Sequence, residues 1–146
     1  MLKKAYLPLV QDGADYANGN WELSMAEATM AIAVFTEDSN AFQKALALWK
    51  RRVPAYIYLK SDGKTPHPAP GHRSWQKQYW YGLDYFEDGV CQETCRDLHH
   101  TQYGIMAAIN LAETTYHQGV DLYSEEFDRL LAGLEFHAQF LAGAKP

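Results

Sequence analysis

Between residues 60 and 86 the chain carries Gly63, Pro66, Pro68, Pro70 and Gly71. No helix survives that density of breakers. The stretch splits a sequence whose other parts place apolar residues at helical spacing. Upstream, Trp21, Met25, Ala28, Ile32 and Phe35 predict one helix, with Asn20 as its N-cap and Glu22 in the first turn. Phe42, Ala45, Leu46, Trp49 and Val53 predict a second, capped by Ser39 and stopped or kinked at Pro54. Their link is short, so the two should pack as an antiparallel hairpin. Residues 3–12 are a short helix candidate interrupted by Pro8.

Downstream, helix returns near Val90 and runs, with a break near Leu98, to His117, where Gly119 ends it. Ser124 is the expected cap of the last helix, with Phe127, Leu130, Leu131, Leu134, Ala138 and Leu141 as its buried stripe. No strand pairing and no internal repeat is evident. The expected class is all-α: helical hairpins joined by one long aromatic-rich loop, in a single domain over residues 1–146.

Several function classes can be set aside. A net charge of -5 argues against a nucleic-acid partner, and it requires any site for a polyanion to be locally basic. No apolar run is long enough to span a membrane. Met1 to Ala5 lack the apolar core of a secretion signal, which leaves the compartment open. Cys91 and Cys95 are too few for a disulfide scaffold and read as two free thiols. No metal-ligand spacing and no organic cofactor motif accompanies them.

Ten Tyr and four Trp serve either a core or platforms for flat ligands such as sugar rings. The long loop concentrates them, with Trp75, Tyr79 and Trp80 close to Arg73 and Lys77. Such a loop reads as a lid or wall, its aromatics stacking on a ligand and its cations meeting anionic groups.

Arg96, His99, His100 and Tyr103 stand at i, i+3, i+4 and i+7, with Glu93 one turn before them. On a helix they share one face, suited to binding an anion and moving protons. The same spacing also describes a solvated face on which Arg96 pairs with Glu93 or Asp97. Asn20 is likewise either a cap or an amide that binds a carboxylate. Lys50, Arg51 and Arg52 form either a solvated helix end or a groove wall for a polyanion.

The segment from Gln92 to Tyr103 resembles the alginate lyase superfamily helix that carries an Arg and, seven residues on, a catalytic Tyr. Ala107 to Leu122 resembles its continuation. Asn18-Gly19-Asn20-Trp21-Glu22-Leu23, followed by Ala33 to Thr36, resembles the family helix that opens with a substrate-site Asn. The resemblance covers nearly the whole chain except residues 60–86.

It implies an α/α toroid of helical hairpins, of which this chain would supply the C-terminal part, self-association being one way to complete the ring. It also implies an anionic polysaccharide substrate, a secreted or periplasmic setting, and β-elimination at a uronic acid. Asn20 and Arg96 would neutralise the carboxylate beside the C5 proton, and Tyr103 would move protons. Many members carry His after the site Asn, where this chain has Trp21. His99 or His100 would then replace that base, or Tyr103 would act as both base and acid. The second case favours syn elimination, as on mannuronate, with Arg96 easing loss of the phenol proton. Trp21, Arg73, Trp75, Lys77, Tyr79 and Trp80 are the expected substrate-binding residues.

Overall fold

A computed structural model describes residues 1–144. A π-helical turn, Leu2–Tyr6, leads into α1 (Leu7–Val10), whose second residue is Pro8, a position that needs no N–H. Then follow α2 (Gly19–Phe35), α3 (Ser39–Tyr56), a 3-10 turn at Lys60–Asp62, α4 (Leu98–Tyr116), α5 (Leu122–Glu125) and α6 (Phe127–Leu141). The class is all-helical, as expected. Among the described residues the only strand-like pairing is one bridge between Ile57 and Cys91.

The α2–α3 hairpin forms, and α4 packs on the other side of α2. Being covered from two sides, α2 buries Leu23, Ala26, Met30 and Ala33 and leaves Trp21 and Phe35 exposed. Of the anticipated stripe of α2, Ile32 is buried and Met25 and Ala28 are half-buried, but the main core face lies on Leu23, Ala26 and Met30. In α3 the prediction holds: Ala45, Leu46, Trp49 and Val53 are core and Phe42 packs against them. The Trp49 indole is satisfied by the Ala108 carbonyl at 2.8 Å. Pro54 does not end α3, which runs on to Tyr56.

Three caps differ from expectation. Asn18, not Asn20, precedes α2. Asp38, not Ser39, caps α3 by accepting the Ala41 N–H. Asp121 caps α5 through the Ser124 N–H, and α6 starts afresh after it. A carboxylate accepts such an N–H at least as well as a hydroxyl.

The helix expected from Val90 begins only at Leu98, where Asp97 accepts the His100 N–H at 2.8 Å. Residues 91–97 instead form turns that send Gln92 and Glu93 inward. α6 also turns differently: of its expected stripe only Leu130 is buried. Phe127, Leu131, Leu134 and Leu141 are exposed. The packed face is Arg129, Leu130, Gly133 and His137. Arg129 pulls it inward by donating to the Ile57 carbonyl and to both Asp62 oxygens at 2.7–2.8 Å. Burial opposes the charge on Asp62, but the Arg129 bonds prevail and hold its carboxyl below the usual value.

The Tyr56 ring, at the end of α3, lies between Gly19 of α2 and Gly104 of α4, and a Cβ on either glycine would overlap it. Asn20 and Tyr103 are the chain neighbours of those glycines. Gly104→Ala is expected to lower stability by about 1–3 kcal/mol, the range for overpacking, despite the better helix propensity of Ala. Urea unfolding of the variant against the parent chain measures it.

Candidate active site

The first turn of α2, the preceding Tyr16–Asn18 segment and the start of α4 enclose an open groove of about 720 Å³. Asn20, Trp21, Arg96, His100 and Tyr103 all line it, together with Tyr16 and Ser24. The sequence places these groups more than 70 positions apart, and the Tyr56 contact brings the two segments together.

Arg96 does not share a helix face with His99, His100 and Tyr103, because it lies in the turn before α4. It reaches the groove by folding back on Glu93, which accepts from its Nη1 at 2.7 Å. That hydrogen bond is the main reason the Arg96 pKa lies above its ordinary value. The guanidinium also sits 6.0 Å from the Tyr81 ring centroid. His100 Nδ1 is 2.7–2.8 Å from both Asp97 oxygens, which leaves Nε2 as its unengaged nitrogen. His99 stands beside the site without lining it, edge-on to the Tyr103 ring at 4.6 Å.

The loop aromatics divide into two sets. Trp80 is 1% exposed and builds a separate core cluster with Tyr58 and Val90, against which Trp75, Tyr79 and Phe86 pack. Trp75 and Trp80 therefore do not line the groove as sugar platforms; burial of their large rings anchors the loop instead. Arg73 is exposed and Lys77 pairs with Asp84 at 2.5 Å; neither lines the groove. Tyr79 donates to the Ala17 carbonyl at 2.6 Å and accepts from Arg52 at 2.8 Å, so it holds the groove wall from behind. Burial pushes the Tyr79 phenol up, against the lowering effect of Arg52. No residue of the loop lines the groove; the loop braces its edge instead, the Tyr81 hydroxyl accepting from the Asn18 amide at 2.8 Å.

The basic cluster is no groove wall either. Arg52 is buried against Glu22, Arg51 pairs with Glu22 at 2.8 Å, and Lys50 pairs with Glu125 at 2.7 Å. Among the described residues no group of three His, Cys, Asp or Glu side chains converges as a metal site would, and no helix is long and apolar enough to cross a membrane. Cys91 is buried and Cys95 exposed, both as free thiols.

The family model for alginate lyase matches residues 7–146, nearly the whole chain. The chain belongs to the alginate lyase family. Membership supports a polysaccharide lyase and, with it, a polysaccharide substrate. No curated protein and no solved structure matches the chain.

Spacing did not single out Gln92, and it put Glu93 on the anion-binding face, whereas both turn inward behind the groove. Both are fully buried. Gln92 accepts the Gly19 N–H at 2.9 Å, and Glu93 accepts the Asn20 N–H at 3.1 Å and the Tyr56 hydroxyl at 3.2 Å. The adjacency of an acid and an amide just before Arg96 was visible. Their partners, 73 positions away, were not.

Asp97 generates a test of the local geometry. The His100 N–H is the chief cause that holds its carboxyl below the usual carboxylate range, and the His100 ring adds to it. A depressed folded-state pKa contributes stability above the unfolded value that is lost as pH falls through the folded one. Asp97→Asn keeps an acceptor but no titration there. Its melting temperature should therefore lie below that of the parent near neutrality, with the gap closing from about pH 4 downwards. Thermal melts of both proteins across that range check this.

Proposed function

We propose that the groove binds a uronate-bearing polysaccharide such as alginate and cleaves it by β-elimination. The observation that carries the reading is the gathering of Asn20, Arg96, His100 and Tyr103 around one open groove in a chain of the alginate lyase family. Its chemical problem is a weakly acidic C5 proton beside a carboxylate. The Asn20 amide and the Arg96 guanidinium meet that carboxylate and favour the carbanion-like transition state. A base takes the C5 proton, its electron pair forms the C4–C5 double bond, the C4–O bond breaks, and the leaving oxygen is protonated.

Tyr103, about half exposed on the groove, is the proton carrier in this reading. His100 is the second candidate, since Asp97 occupies Nδ1 and leaves Nε2 free to accept. With Tyr103 as both base and acid, proton and leaving oxygen lie on one side of the ring, which favours mannuronate. Trp21, 61% exposed at the groove, offers a stacking face for a sugar ring. The exposed Leu131, Leu134 and Leu141 of α6 are where a further helical layer of an α/α toroid would pack.

A second reading, a uronate-binding module without turnover, is favoured by Trp21 in the place where family members often carry His. The two readings part in one assay. Ultraviolet absorbance of new C4–C5 double bonds should rise on polymannuronate and less on polyguluronate. Tyr103→Phe should reduce it by about 10²–10⁴-fold, the range for a lost general acid–base group. An unchanged rate in Tyr103→Phe would remove Tyr103 from the chemistry, and binding without absorbance would favour the module.

A further inference from the structure

Behind the groove one buried carboxylate touches α2, α3 and the turn before α4. Glu93 Oε2 accepts from the Asn20 N–H of α2 and from Tyr56 of α3, and Oε1 accepts from Arg96 at 2.7 Å, just before α4. We propose that Glu93 is the positioning residue of the groove, fixing the Arg96 guanidinium to the first turn of α2 so that Arg96 and Asn20 present one geometry to a ligand carboxylate. This rests on the reading of the groove as a uronate site.

The surroundings demand an acceptor-only group. Glu93 faces a backbone N–H, a hydroxyl and a guanidinium. A glutamine there would turn its NH₂ toward one of these donors. The neighbouring Gln92 makes the contrast. It is offered one donor, Gly19 N–H, and two acceptors, the Asn18 Oδ1 and the Tyr79 carbonyl, which suits an amide. A fully buried carboxylate is unfavourable unless paired, and Arg96 supplies the cation. The bond engages only Nη1, while the side chain remains partly exposed on the groove. A long Arg side chain without such an anchor samples many rotamers, and loss of reactive alignment reduces turnover steeply.

The test is a double-mutant cycle read on mannuronate oligomers, with melting temperatures to confirm folding. Glu93→Gln should lower kcat/KM by about 10–100-fold. In an Arg96→Ala background the same change should cost less than about twofold, because the guanidinium is gone and a glutamine oxygen can still accept the Asn20 N–H. Equal losses in both backgrounds, or no loss in the single variant, would overturn the proposal.

A second arm needs neither turnover nor a variant. Nitrogen-15 NMR of the parent chain should resolve distinct Arg96 Nη signals from an anchored, slowly rotating guanidinium. Merged signals would overturn the proposal even if Glu93→Gln failed to fold. A parent chain that cleaves no polymer yet shows an anchored Arg96 would sink the lyase reading and leave the positioning role standing.

Discussion

The approach of α2 to α4 depends on one aromatic ring. Tyr56 ends α3 and slides between Gly19 and Gly104, each of which leaves space where a side chain would collide. The ring is fully buried, and its hydroxyl is tied to Glu93. Burial pushes the phenol well above its usual pKa, and the nearby Cys91 and Glu93 groups push the same way, so it stays a donor. Asn20 follows the first glycine and Tyr103 precedes the second. The packing contact therefore also sets the distance between two walls of the groove.

Around that wedge the polar groups are arranged as matched sets. The orphan N–H groups that open α2 are satisfied from 73 residues away, by Gln92 and Glu93, rather than by a local cap. Behind the groove Glu22 is buried against Arg52 and also takes Arg51. Arg52 passes on to Tyr79, which holds the Ala17 carbonyl. Buried charges persist only in such company. The aromatic loop is bound into this network through Tyr79, which also packs on the Trp80 cluster, so its irregular backbone still has a defined place.

Much of the fold was legible from local pattern. The breakers in residues 60–86, the α3 stripe and the α2–α3 hairpin follow from short-range sterics and periodicity, and the Gln92–Tyr103 and Asn18–Leu23 segments pointed to the family. The two misplaced helix faces have one cause. Trp21 and Phe35 of α2, and Leu131, Leu134 and Leu141 of α6, are apolar at helical spacing, yet they face outward. Periodicity shows that a helix has an apolar face, but which face is buried depends on neighbours that a single segment does not specify. The α6 choice is made by Arg129 reaching Asp62 and Ile57.

The candidate groove divides the same way. Residue types and order are enough to pick out Asn20, Arg96, His100 and Tyr103, because their chemistry is carried by the side chains themselves. Their assembly is not local. Arg96 leaves the helix that its spacing predicts, since Glu93 is drawn inward to the start of α2 and Asp97 restarts the helix behind it. Trp80 becomes core and Trp75 packs against it rather than serving as a platform, because burying large rings outweighs presenting them to solvent. Those outcomes come from long-range hydrogen bonds and packing across three helices, which exist only once the chain has closed around Tyr56.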